Sequence, residues 1–145
     1  MSRHNPYRRK ASPSIGLGAI VIACLATVLP GLAILKLGQS IRPAYLVAYL
    51  CAISVISFFL YGLDKKKAAN EAWRIPERTL HLVELAGGWL AAYFAQRAYR
   101  HKTAKQAYQA VFWCIALIHN YVALDYLNEW RLTKAALAFI ASLIE

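Results

Sequence analysis

YGLDKKKAANEAWRIPERTLHLVELAGGWLAAYFAQRAYRHKTAK, residues 61–105, decides how this chain folds. The stretch holds 9 of the 17 basic residues and 4 of the 7 acidic ones, wrapped around an apolar segment, 80–95, that is interrupted at its middle by Gly87-Gly88. The sequence on either side of it is dominated by apolar runs long enough to be helices that cross a membrane. Apolar residues make up 59% of the 145-residue chain, against about 45–50% in a soluble domain, so much of that surface must face lipid. The length suits one domain. The expected fold class is therefore all-α: a small helical membrane bundle of three spans, plus a glycine-broken helix at 77–97 and an amphipathic C-terminal helix.

Upstream, 44–63 is a second span that opens after Pro43, a residue suited to the first turn of a helix. Ala44, Ala48 and Ala52 recur along it as a small-residue face on which another helix can pack closely. Lys36, Gly38, Gln39, Ser40 and Arg42 form a short polar turn before it. The first span, 15–37, covers about 34 Å at 1.5 Å per residue, enough for a hydrocarbon core of about 30 Å. Pro30 should kink it. This run is longer than a cleavable signal-peptide core and lacks a clear cleavage site, so it is expected to stay in place. Residues 1–14, with Arg3, Arg8, Arg9 and Lys10, form a basic segment at the headgroups, and 15–145 form the single membrane domain.

Downstream, 107–127 is the third firm span and carries His119, Asn120 and Asp125. In the tail, 131–145, Leu132, Ala135, Ala136, Phe139, Ile140, Leu143 and Ile144 share one helical stripe, opposite Arg131, Lys134, Ser142 and Glu145. It is too short to cross and reads as an interfacial helix or one packed on the bundle. Cys24, Cys51 and Cys114 lie inside apolar runs and act as small hydrophobes.

Charge decides between two topologies. If 80–95 crosses, the loops on the N-terminal side hold 11 basic residues and the other side 6; if it enters and returns on one side, the split is 13 against 4. The positive-inside rule favours the second arrangement, with the N-terminus cytoplasmic. The alternative is a tilted fourth span that uses Gly87-Gly88 as a packing notch.

Two groups of residues carry the candidate chemistry. Arg100, His101, Lys102, Thr103 and Lys105 precede a helix whose amides point toward them, and with Lys65, Arg74 and Arg78 they would bind an anion. Asp64 and Glu77 would orient those cations, and His101 would carry a proton near neutral pH. Inside the membrane, His81 and Glu84 share a helix face, with His119 and Asn120 as further polar residues; an intramembrane ionisable group is a functional hypothesis by default. A zinc set drawn from His81, Glu84, His101 and His119 has no supporting spacing, so no metal is expected. No Walker A loop, GxGxxG or Ser-His-Asp grouping is present, and no cofactor is expected.

Tyr61, Asp64-Lys65, Ala68, Arg74, Pro76-Glu77, Leu80, Gly87-Gly88, Arg100-His101-Lys102-Thr103 and Lys105, continuing to Phe112 and Asn120, form an ordered pattern over 44–127. It resembles an uncharacterised bacterial membrane family, the domain of unknown function 1294, some of whose members carry an N-terminal cold-shock domain. The resemblance implies a helical membrane module. Only 14 polar residues precede the first span, so the oligonucleotide-binding half is not expected, nor is direct nucleic-acid binding. The Arg100-His101 pair also invites a comparison with isoprenylcysteine methyltransferases, but the Pro that would follow it and most of the length are missing.

The leading functional reading is a basic cytoplasmic face that binds an anionic lipid or a phosphate-bearing small ligand. One alternative is a membrane enzyme or small transporter using His81 and Glu84. The other is a structural or adaptor protein acting by helix pairing, for which a homo-oligomer is the natural partner.

Overall fold

The computed structural model describes residues 15–144, so the basic segment 1–14 lies outside the described residues. In chain order the helices are α1 (Leu17–Leu37), α2 (Pro43–Ala69), α3 (Glu77–Val83), a π-helical turn (Glu84–Gly88), α4 (Trp89–Ala98), α5 (Gln106–Leu127) and α6 (Arg131–Ser142). Among the described residues there is no strand. Helices α1, α2 and α5 are long and apolar enough to cross a membrane. Their exposed side chains include Leu25, Leu35, Val47, Phe59, Leu117 and Ile118, a surface that only lipid would leave unpenalised.

Helix α1 runs through Pro30 without ending. It lies beside α5 in the same direction: Ala26 shares a groove with Ala116, and Leu37 one with Tyr126. Lys36 donates to the Tyr126 and Leu127 carbonyls, 3.4 Å each, placing a cation where α5 leaves carbonyls unpaired. After the 38–42 turn α2 runs the opposite way. It continues as helix to Ala69, past the expected limit at residue 63, because Leu, Lys and Ala are good helix formers in water as well as in lipid.

The segment between α2 and α5 goes in and comes back. The Ile75 amide donates to Asp64 Oδ1 at 3.1 Å, just before α3 begins, and His101 Nε2 lies 2.7 Å from Asp64 Oδ2, just after α4 ends. Both ends of the hairpin therefore meet one residue near the end of α2, and its interior passes Tyr61 and Ser57 deeper along the same helix. The fourth-span alternative would put these ends on opposite sides of the bundle. We call the end that gathers Asp64, 70–78 and 100–105 the basic end, and the end with 38–42 and 127–131 the far end.

Two glycines turn the hairpin. Gly87 has φ +107°, a left-handed conformation that a side chain disfavours. A Cβ on Gly88 would lie 2.8 Å from the Val83 carbonyl and 3.0 Å from Ser57 Cβ, so only glycine lets the turn sit on α2, where Ser57 Oγ donates to the Gly88 carbonyl at 3.0 Å. The core of Tyr61, Leu80, Trp89, Tyr93, Tyr108 and Phe112 lies between the hairpin, α2 and α5. The Ala44, Ala48 and Ala52 face is exposed, without a partner helix among the described residues. Helix α6 keeps the expected two-faced pattern, buries none of its described residues and packs against α5.

Candidate functional site

Two connected polar clusters occupy the basic end. The outer one is built on Asp64, wholly buried at the inward face of α2. Its carboxylate takes the Ile75 amide, His101 Nε2 and Lys102 Nζ, the last at 3.1 Å. Lys102 also lies 3.5 Å from Glu77, and Lys105 Nζ reaches both Glu77 oxygens at 2.7 and 2.8 Å. Hydrogen bonds from Lys105 and the nearby charge of Lys102 hold the Glu77 carboxyl below its ordinary range. Asp64 thus ties α2 to both ends of the hairpin, and Glu77 ties α3 to the 100–105 loop.

The inner cluster is built on Glu84, which the π-helical turn points between α2, α4 and α5. Glu84 Oε1 is in hydrogen-bonding contact with the Tyr61 hydroxyl and, at 2.8 Å, with the Tyr108 hydroxyl, while Oε2 lies 2.7 Å from His81 Nδ1. The two phenol oxygens are 2.5 Å apart, and Gln96 Nε2 donates to Tyr61 at 3.0 Å. Gln109 Nε2 donates to Gln96 Oε1 at 2.6 Å and to the Lys102 carbonyl at 3.1 Å. The His81 ring stacks on Tyr108 at 4.2 Å, and Lys102 Nζ sits 4.7 Å above that same ring. The two clusters are therefore continuous. Among the described residues no buried side-chain nitrogen or oxygen lacks a partner, as an apolar surrounding requires.

The sequence-predicted residues separate into those this geometry joins and those it does not. His81 and Glu84 meet; Asp64, Glu77, His101, Lys102 and Lys105 meet. Of the cations expected around them, Asp64 and Glu77 hold His101, Lys102 and Lys105. Lys65, Arg74 and Arg78 are exposed and form no ion pair among the described residues. Arg100 sits in the left-handed region at φ 47° and Thr103 is exposed. His119 and Asn120 do not join His81 and Glu84. His119 Nδ1 lies 2.9 Å from the Ile115 carbonyl and Asn120 donates to Ala116, so both spend their polarity on their own helix four residues back.

Four residues of the inner cluster, Tyr61, Gln96, Tyr108 and Gln109, are not singled out as site residues by the sequence. Gln96 was legible, being an amide inside an apolar helix. Tyr61 lies three residues before Asp64 on one helix face. Tyr108 and Gln109 carried no comparable signal, because the last span holds several tyrosines and starts in a polar stretch. Asp125 acts locally. It accepts from the Leu132 and Thr133 amides, at 2.9 and 3.1 Å, and from the Thr133 hydroxyl, capping α6 after the turn where Glu129 and Trp130 adopt positive φ.

Comparison with known proteins reaches the same part of the chain. A model for a protein of unknown function (DUF1294) matches residues 54–108, from the middle of α2 to Tyr108, so Phe112 and Asn120 fall outside it. The "Uncharacterized protein YsdA" of Bacillus subtilis (strain 168) is 34% identical over 64 residues, covering 44% of this chain and 72% of that protein. No solved structure matches. The matched segment contains Asp64, Glu77, His81, Glu84, Gln96 and His101, together with the hairpin that unites them, and the chain belongs to the DUF1294 family of proteins of unknown function.

Proposed function

We propose that the basic end faces the cytoplasm of a bacterial cell and binds a phosphate-bearing anion, foremost the headgroup of an anionic lipid. One observation carries this reading. Lys65, Lys66, Lys67, Arg74 and Arg78 form no ion pair among the described residues, while the neighbouring carboxylates Asp64 and Glu77 are taken up by His101, Lys102 and Lys105. Five cations are thus left to an outside partner. The loop that follows the lysines opens a cleft of about 380 Å³ lined by Trp73, Arg74, Ile75, Pro76, Glu77 and Lys102. Trp73 is 89% exposed, and an indole beside arginines at a span end suits the headgroup layer.

The orientation follows from charge. The basic end carries nine Lys and Arg among the described residues, and the far end carries Lys36, Arg42, Arg131 and Lys134. Cytoplasmic loops hold such an excess, and the anionic inner leaflet attracts it.

The test is native mass spectrometry of the protein released from nanodiscs of equal phosphatidylglycerol and phosphatidylcholine. Phosphatidylglycerol should be retained preferentially, less so at high salt, and the preference should vanish in a Lys65→Gln/Arg74→Gln/Arg78→Gln variant. Displacement by millimolar inorganic phosphate would assign the site to a free phosphate compound instead of a lipid. Equal retention of both lipids by the unaltered protein would reject the reading.

A further inference from the structure

The geometry points to Glu84 as a proton-binding site inside the bundle, loaded from the basic end through His81. Glu77, His81 and Glu84 stand at i, i+4 and i+7, on one helix face. Their side-chain exposure falls from 39% through 17% to 0%, so the three form a descending ladder from the loop to the buried carboxyl. His81 spans the gap, with Nδ1 at 2.7 Å from Glu84 Oε2 and, among the described residues, no protein partner for its second ring nitrogen.

Proton counting assigns the state of Glu84. Tyr61 Oη, Tyr108 Oη and Glu84 Oε1 form a triangle in which every side is a hydrogen-bonding contact. The two phenol protons fill two sides. Gln96 cannot supply a third, because its oxygen is fixed by Gln109 and its amide is directed at the Tyr61 oxygen from outside the triangle. A proton on Glu84 Oε1 completes the ring: Glu84 donates to Tyr61, Tyr61 to Tyr108 and Tyr108 back to Glu84, while neutral His81 donates from Nδ1 to Oε2.

Besides His81, the groups facing this site supply no ion pair to Glu84 among the described residues. Helix α2 presents Tyr61 with Asp64 one turn on, α3 presents His81 and Glu77, α4 presents the uncharged Gln96, and α5 presents Tyr108. Lys102 lies over the Tyr108 ring with its ammonium engaged by Asp64 and Glu77. Loading balances at the ionised carboxylate: a proton taken up by the second nitrogen of His81 is matched by one passed from Nδ1 to Glu84, leaving a neutral acid and a neutral imidazole, and unloading is the reverse. The site sits on a π-helical turn, a device often found where a helix aims a functional side chain.

Infrared difference spectroscopy of the full chain in nanodiscs, between neutral and alkaline pH, tests this. The unaltered protein should show the carbonyl band of a protonated carboxylic acid, shifted in D₂O and absent from a Glu84→Gln variant of equal thermal stability. His81→Gln should keep the band but slow its deuterium exchange about a hundredfold. Should Glu84→Gln fail to fold, Tyr61→Phe and Tyr108→Phe each open the triangle and should displace the band. Lack of the band in the unaltered protein, its persistence in Glu84→Gln, or indifference to both tyrosine variants would overturn the assignment. None of these readouts depends on lipid binding.

Discussion

The two ends of this bundle use polar residues in opposite ways. At the basic end, Asp64 and Glu84 each bring together groups from elements distant in sequence: Asp64 gathers Ile75, His101 and Lys102, and Glu84 gathers Tyr61, His81 and Tyr108. At the far end, apart from the Lys36 ammonium on the α5 carbonyls, the bonds are short-range. His119, Asn120 and Asn128 turn to carbonyls four residues back, and Asp125 caps the helix that follows it. Where apolar helices have little hydrophobic reason to associate in lipid, buried long-range polar contacts select one arrangement. The hairpin is held by such contacts, whereas most far-end polarity, Lys36 apart, satisfies local backbone needs.

This contrast can be broken by mutation, with effects ordered by how many elements a residue joins. Glu84→Ala should be the most damaging, because it orphans the Tyr61, Tyr108 and His81 partners at once; a loss of about 3 kcal/mol or more is expected in an SDS-titration unfolding assay. Gly88→Ala should follow at about 1–3 kcal/mol, since its new methyl has to displace Ser57 or the Val83 carbonyl. Asp125→Ala should free α6 without loosening the hairpin, visible as faster amide exchange confined to 131–142. Asn120→Ala should stay within about 0.5 kcal/mol of the unaltered protein. A large effect at Asn120, or a small one at Glu84, would reverse the contrast.

A weaker effect follows from pH. The Glu77 carboxyl is held below its ordinary range in the folded state. Its contribution to stability is therefore present above the unfolded value, about 4.3, and is lost as pH falls through the folded one. Stability of the unaltered protein should decline through that acid window, and Glu77→Gln should flatten this part of the curve.

Much of the fold was legible because lipid imposes a simple rule: long apolar runs must be helices. The spans, the proline start of α2, the break at Gly87-Gly88 and the two-faced tail all follow from it. The extension of α2 was hidden because Asp64 and the lysines after it resemble a loop, although lysine and alanine are good helix formers. Site residues were legible where a charge interrupts an apolar run, as at His81 and Glu84. Which cations the carboxylates would choose was not. Lys102 and Arg100 are two residues apart in one basic run, and only the return of α4 to Asp64 puts Lys102 against it. Tyr108 escaped for a related reason: its role exists only once α5 packs on Tyr61 and Glu84.

A hairpin held in this way requires the segment between α2 and α5 to enter and leave at one end of the bundle. Single-cysteine variants at Gln39, Asn70 and Thr103, in a chain with Cys24, Cys51 and Cys114 replaced by alanine, test it with a membrane-impermeant maleimide on sealed vesicles. Positions 70 and 103 should label from the same face and position 39 from the opposite one. Labelling of position 103 together with position 39, and apart from position 70, would contradict the account.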